Sequence, residues 1–242
     1  MQRRVPQKAL MKNSNRSAAI LGVALGLAAA SVSQAIPTIR ISDGFTTLII
    51  QDNIGADGSP IAGFVQYTAP AGTFAGWSVV LSAGTTKPVI GSATSPELDL
   101  NWAITRQGPT AGQLTVQFSE NGFNLAGPSS FVISSGGILG TAANTALVRT
   151  YYAGNNTELN TTSLLTTHAF IGPGAFAAND PGAAPADPTV AFTVQLDLTH
   201  GAGQISSGDV HLYLNVPEGG SMATFFGTAL LALGALAIRR KE

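Results

Sequence analysis

Hydrophobic and polar residues alternate along several short segments of this chain. The clearest are 97–106, 113–119 and 189–199, where nearly every second residue is apolar. Successive side chains of a β-strand point to opposite faces, so this pattern predicts strands with one buried face. Weaker segments of the same kind are 46–51, 61–68, 76–82, 130–134, 146–152 and 210–216.

No apolar period of 3.6 residues extends over the length of a helix between residues 36 and 215. About nine or ten short strands separated by turns predict an all-β fold, an antiparallel β-sandwich of jelly-roll-like or immunoglobulin-like type. Asn121-Gly122 is a typical turn dipeptide, so we expect a turn there. Residues 153–188 show no clear alternation, and within them we expect Gly172-Pro173-Gly174 and residues 180–188 to form a long, mobile loop.

The N-terminal end has a different pattern. Residues 18–30 are apolar and follow five basic residues, and Ser33-Gln34-Ala35 has the small residues of a cleavage site. This order predicts a secretory signal peptide over residues 1–35, which signal peptidase removes before Ile36. An uncleaved N-terminal anchor is the alternative, and the short apolar segment disfavours it.

The C-terminal end has three parts: a glycine-rich turn over 216–221, an uncharged segment over 222–238, and a basic end over 239–241. A helix of about 17 residues reaches ~26 Å, the short end of what crosses a bilayer. Basic residues beside such a segment stay on the cytoplasmic side. We therefore predict one C-terminal transmembrane helix over 222–238, with Arg239, Arg240 and Lys241 as its membrane stop.

The residues of the turn are Val216, Pro217, Glu218, Gly219, Gly220 and Ser221. With the segment behind them they resemble the sorting signal of the PEP-CTERM proteins, in particular the VPDSG-CTERM variants, although Val216 and Gly219 replace the prolines of Pro-Glu-Pro. The resemblance covers residues 216–242 only. It implies an exosortase-like membrane peptidase as partner, an inner-membrane precursor, and a cell-surface or extracellular product of Gram-negative bacteria linked to exopolysaccharide and biofilm. An ordinary tail anchor is the alternative.

These features divide the chain into a signal peptide (1–35), a secreted β-domain (36–215) and a sorting signal (216–242). The β-domain has four basic and eleven acidic side chains, a net charge of about −7. Nucleic-acid binding needs clustered Lys and Arg, so this composition excludes it. The chain has no cysteine, which excludes disulfides and zinc–thiolate sites.

Candidate catalytic residues are few, and no Gly-x-Ser-x-Gly elbow is present. Glu97 and Asp99 share one strand face roughly 7 Å apart, as in a glycosidase pair, but that face is polar and we expect it to be solvated. Asp197 and His200 should lie on opposite faces of their strand, with His200 at the surface. We expect neither pair to be catalytic.

Binding residues are also few. Asp43, Asp52 and Asp57 could gather around a weak calcium ion, but plain turns are favoured because alternate positions hold Ile54 and Ala56. We expect no cofactor. The two tryptophans, Trp77 and Trp102, lie on apolar strand faces and are expected in the core, whereas one of Tyr151 and Tyr152 must point outward.

The sequence therefore predicts the route of this protein better than its role. The leading interpretation is an exported cell-envelope or matrix protein with a structural or interaction role and no enzyme activity. Two alternatives stay open: a carbohydrate-binding module of sandwich fold, and a secreted hydrolase whose site is assembled from separate loops.

Overall fold

A computed structural model of the protein describes residues 35–70 and 72–215, with only the backbone described at 81–83. This part of the chain is all-β and contains no helix. Its strands are β1 (Thr38–Ser42), β2 (Thr47–Gln51), β3 (Phe64–Thr68), β4 (Trp77–Thr85), β5 (Glu97–Arg106), β6 (Gly112–Leu125), β7 (Ser129–Leu139), β8 (Thr145–Ala153), β9 (Ser163–Ile171), β10 (Gly174–Ala184), β11 (Asp187–His200) and β12 (Ile205–Leu214).

The strands form two six-stranded sheets in which every pairing is antiparallel. Sheet A has the order β2-β1-β6-β11-β8-β9, and sheet B has the order β10-β7-β12-β5-β4-β3. The inward residues of both sheets form one hydrophobic core, with large side chains such as Phe118, Phe123, Phe131 and Phe192 fully buried. The predicted all-β sandwich is confirmed, whereas the predicted signal peptide and transmembrane helix lie outside the described residues.

The strands predicted from alternation are present, and those with the clearest pattern are the central ones. β5 has the predicted bounds, and β6 and β11 extend beyond theirs. Along β5, Leu98, Leu100, Trp102 and Ile104 are buried while the residues between them are partly exposed. All the described strands lie within 38–214, so a fragment of residues 36–215 contains the whole core.

The loop prediction is wrong for residues 180–188, most of which are strand, and segment 153–188 contains β9 and all of β10. Each is the edge strand of its sheet. An edge strand at the open side of a sandwich contacts less of the core than a central strand, so its sequence needs no strict alternation. Proline is tolerated there as well, and Pro181 lies within β10.

The predicted turn at Asn121-Gly122 is also wrong, because both residues lie inside β6. Val190 of β11 pairs with Phe123 and Phe192 pairs with Glu120, so two residues of β6 oppose one of β11. This β-bulge uses the positive φ of Gly122, 71°. The extra residue reverses the alternation of β6 beyond the bulge. Glu120 before the bulge and Phe123 after it therefore both point into the core.

Both ends of the β-domain lie at the same end of the sandwich, which we call the terminal pole. Thr38, at the start of β1, pairs with Ser119. Asn215, after β12, donates its backbone N–H to Ser130 O at 2.8 Å. The turns 43–46, 107–111 and 201–204 lie at the opposite end, because β6 starts there opposite the end of β11.

Candidate functional site

The outer face of sheet B carries a group of polar side chains that β5 and β12 contribute together. Alternation along each strand turns the apolar residues inward and the polar residues outward. The outward residues form a surface that we call the acidic face: Glu97, Asp99, Asn101, Asp209 and His211. β5 and β12 are neighbours, and His211 lies opposite Asp99 in their register. The two strands come from distant parts of the sequence, so only the strand order brings these residues together.

Hydrogen bonds hold this face in a defined arrangement. His211 Nε2 lies 2.8 Å from Glu97 Oε1, and Asn101 Nδ2 donates to Asp99 Oδ2 at 3.0 Å. Burial raises the pKa of Asp99, and the negative charges of Asp209 and Glu97 raise it further, against the opposite effects of His211 and Asn101. Glu97 and Asp99 both lie on the outer face and are partly exposed, and Asp99 is half-buried.

A shallow depression of about 360 Å³ lies on the acidic face toward the terminal pole. Its lining residues are Ser95, Glu97, Ser134, His211, Tyr213 and Leu214. The rings of His211 and Tyr213 are adjacent, with centroids 5.0 Å apart. Carboxylate, hydroxyl and imidazole groups beside an aromatic ring can hydrogen-bond to hydroxyl groups of a ligand and contact its apolar side.

Sheet A has a second shallow depression, of about 320 Å³, on its own outer face. Arg149 Nη1 lies 2.7 Å from Asp197 Oδ2, and Thr115 Oγ1 and Gln195 Nε2 also donate to this carboxylate. The charged groups here satisfy one another.

Asp197 and His200 do lie on opposite faces of β11, as the sequence predicts, but His200 is not a surface residue. Its side chain is fully buried and packs against Trp77, with ring centroids 5.3 Å apart. Burial lowers the pKa of His200 to about 4. The prediction of an exposed position is wrong because every second residue of β11 faces inward up to its last residue, His200. The turn 201–204 begins only after it.

The three aspartates considered for calcium each accept backbone N–H groups. Asp43 accepts from Phe45 and Thr46 and also from Ala75. Asp52 accepts from Gly63, and Asp57 from Asn53, Ser59 and Gln66. These carboxylates organise turns. Among residues 35–70 and 72–215 no three His, Asp or Glu side chains are arranged to hold a metal ion.

The tryptophans lie in the core as predicted, with Trp77 3% and Trp102 2% exposed. One tyrosine of the pair 151–152 does point outward, as the sequence predicts, but it is not exposed. Tyr151 is on the outer side of β8 but is only 7% exposed, and Tyr152 packs against the core. Neither offers a flat exposed ring for a ligand.

Sequence analysis missed a buried ion pair at the terminal pole. Glu120, 1% exposed, points inward from β6. Lys87 Nζ lies 2.9 Å from Glu120 Oε1, donates to Asn121 O at 2.7 Å, and lies 3.8 Å from the centre of the Phe123 ring. The Thr86 hydroxyl donates to the other carboxylate oxygen. A glutamate following the inward residues Leu114, Val116 and Phe118 was the available signal.

This pair joins the two sheets, because Thr86 and Lys87 follow β4 of sheet B and Glu120 belongs to sheet A. Burial raises the pKa of Glu120 to about 7, and the positive charge of Lys87 opposes that rise. Burial also lowers the pKa of Lys87, against the attraction of Glu120.

The residues predicted to direct export, Ser33 and 216–221 with 239–241, lie outside the described residues; Ala35 and Ile36 are at the start of the described chain. Within the described residues no helix is long and apolar enough to cross a membrane.

Comparison with known proteins gives no family. No family model matches the chain, and no curated protein matches it. Partial structural likeness is found to TmCBM61 in complex with beta-1,4-galactotriose (8% identity, 57% of this chain and 88% of that chain, TM-score 0.31). The adhesin domain of Lys-gingipain from Porphyromonas gingivalis W83 overlaps similarly (9% identity, 63% and 95%, TM-score 0.32). So does the arabinose-bound MgGH51 α-L-arabinofuranosidase (16% identity, 62% and 25%, TM-score 0.29). Such TM-scores are too low to indicate a shared function.

Proposed function

We propose that this chain is an exported cell-envelope protein whose β-domain binds extracellular polysaccharide on the acidic face of sheet B, without catalysis. The observation that carries the binding role is the shallow depression lined by Glu97, His211 and Tyr213. It is open and lies on a flat sheet face, so an extended polymer can cross it without entering a pocket.

The chemistry of this face suits a sugar polymer. Glu97, Asn101 and Ser134 supply acceptors and donors for hydroxyl groups, and the adjacent rings of His211 and Tyr213 supply an apolar contact surface. The domain has a net charge of about −7, which repels strongly anionic polymers. We therefore propose a neutral or weakly charged polysaccharide as the ligand.

The proposed route rests on the two ends of the sequence. A signal peptide over 1–35 directs export, and residues 216–242 hold the precursor in the inner membrane until an exosortase-like peptidase cuts near Pro217 to Ser221. Asn215 leaves the sandwich directly after β12, so only a short connection separates the folded domain from the processing turn.

His211→Ala is expected to weaken polysaccharide binding by about tenfold, because it removes a hydrogen-bonding ring from the lining of the depression. The ligand is first selected with fragment 36–215 on a glycan array, and affinity is then measured by titration calorimetry. His168→Ala, a histidine of similar exposure on β9, is the matched control and should bind like the wild type.

Two outcomes would contradict this proposal. Absence of binding to any glycan on the array would exclude the polysaccharide role, and equal weakening by both histidine variants would exclude the acidic face as its location. Recovered oligosaccharide is examined by mass spectrometry. Shortened products would favour the hydrolase alternative, with half-buried Asp99 as its first candidate acid.

Replacing Pro217 and Glu218 by alanine is expected to abolish C-terminal processing while export continues, since the turn that a membrane peptidase would recognise is lost. Uncut precursor should then accumulate in the inner membrane. The measurement is mass spectrometry of the C-terminal peptide of surface-located protein. Asp187→Ala with Pro188→Ala, a similar change within the β-domain, is the control and should be processed normally. Recovery of Arg239 or Lys241 in mature wild-type protein would show that the tail is only an anchor.

A further inference from the structure

The two sheets have four edge strands, and three of them are covered. β9 and β10 face each other across one side of the sandwich, where His168 Nδ1 lies 3.0 Å from Asp180 Oδ2 and the rings of Phe170 and Phe176 are 4.2 Å apart. On the other side, turn 57–59 covers β3. Its Gly58 N–H donates to Gln66 O, and Gln66 N–H donates to Asp57. Among residues 35–70 and 72–215, the remaining edge, β2, is met only at its end, where Ile54 N–H donates to Gln51 O.

The hydrogen-bond register shows which backbone groups of β2 point away from its sheet. Asp52 N–H donates to Pro37 O, and Asp43 N–H donates to Thr46 O, so the even-numbered residues of β2 bond to β1. Hydrogen-bonded and non-bonded pairs alternate in an antiparallel ladder. The N–H and C=O groups of Thr47 and Ile49, and the N–H of Gln51, therefore point to the open edge.

The side chains along this edge are uncharged, and the largest exposed ones are apolar. Strand β2 is Thr-Leu-Ile-Ile-Gln, with no charge and no proline. Ile49 is 55% exposed, and the flanking residues Phe45 and Ile54 are 96% and 50% exposed. Natural proteins usually protect an edge strand with Lys, Pro, a bulge or a covering loop, and an edge lacking these pairs with another strand.

We propose that β2 pairs with β2 of a second copy of this chain, antiparallel about a two-fold axis at Ile49. The two Ile49 residues then exchange a pair of hydrogen bonds, and Gln51 N–H of each copy meets Thr47 C=O of the other. Each end of the paired strands then carries Phe45 of one copy and Ile54 of the other, both of which are exposed. The two copies of sheet A become one continuous sheet of twelve strands.

A second copy fits this edge better than an unrelated strand for two reasons. The five-residue strand is centred on Ile49, so the same residues complete both halves of a symmetric pairing. The domain is acidic, yet β2 itself carries no charge, and the flanking carboxylates of Asp43 and Asp52 are bonded to backbone N–H groups of their own chain. The interface is small, and we expect a dissociation constant between about 10 µM and 1 mM.

The test is sedimentation equilibrium of fragment 36–215 over a range of concentrations, with Ile49→Lys as the variant. Two lysines then face each other across the two-fold axis, and the dimer should weaken at least about tenfold. Ile171→Lys is the matched control, because Ile171 is 76% exposed on the other edge strand of sheet A. It adds the same charge and should dimerise like the wild type.

Amide hydrogen exchange checks the register and keeps the test valid if a variant is less stable. In the wild type, exchange at Ile49 N–H should slow as protein concentration rises, whereas the Leu48 amide, already bonded to β1, should not change. A wild-type fragment that remains monomeric up to about 1 mM would overturn the proposal. Equal weakening of the dimer by both lysine variants would also overturn it.

Discussion

Lys87→Met should lower the free energy of unfolding by about 1–2 kcal/mol at pH 8, because the pKa of Glu120, about 7 with Lys87 present, rises further and proton uptake then limits the cost of the unpaired carboxylate. Glu120 would then remain 1% exposed with no opposite charge beside it. Methionine keeps much of the aliphatic stem that packs over the Phe123 ring, so the loss is chiefly electrostatic. Urea denaturation of fragment 36–215, followed by circular dichroism, measures it.

The matched control is Arg149→Met, which removes the cation of an ion pair on the outer face of sheet A. Both partners of that pair are about one-third exposed, so the effect should stay near 1 kcal/mol or below. The double variant Lys87→Met with Glu120→Gln should recover part of the lost stability, because no uncompensated charge stays buried. Equal effects of Lys87→Met and Arg149→Met would show that the pair at the terminal pole is not electrostatically buried.

The second prediction concerns the pH dependence of stability between about pH 4.5 and 6.5, where two buried groups act in opposite directions. The folded pKa of Glu120, about 7, lies above its ordinary value of 4.5. The folded state then binds more protons than the unfolded state, and stability falls as pH rises. The folded pKa of His200, about 4, lies below 6.5. Here the unfolded state binds more protons, and stability rises with pH.

Each group alone changes stability by about 3 kcal/mol across its window, so the two effects oppose each other in the wild type. Glu120→Gln should unmask His200, and stability should rise with pH from 4.5 to 6.5. His200→Leu should unmask Glu120, and stability should fall over the same range. Urea denaturation at several pH values gives both slopes. If stability changed in the same direction with pH in both variants, the opposite effects assigned to Glu120 and His200 would be wrong.

The sequence allowed the central strands to be predicted because each of them separates core from solvent. β5 and β11 show strict alternation for this reason. β9 and β10 were missed because an edge strand contacts the core less, and its residues need only permit extended backbone. The bulge at Gly122 was mistaken for a turn because glycine supplies a positive φ in both settings.

Only part of the candidate site could be predicted from the sequence. Alternation along β5 correctly placed Glu97 and Asp99 on one outer face. It could not supply His211, Asp209 or Tyr213, because their position depends on β12 lying beside β5, more than a hundred residues away in the chain. The burial of Asp99 and Glu120 likewise depends on neighbours from other strands.

The shared terminal pole determines how mechanical tension would pass through the domain. The chain leaves the sandwich after Asn215 as a continuation of β12, which is hydrogen-bonded to β5 on one side and to β7 on the other. A pull at Asn215 acts along β12 and across both ladders at once, a shearing load that many hydrogen bonds share. A force perpendicular to an edge strand would instead break its hydrogen bonds one after another. A domain tethered through its C-terminal end would therefore resist drag on a bound polymer.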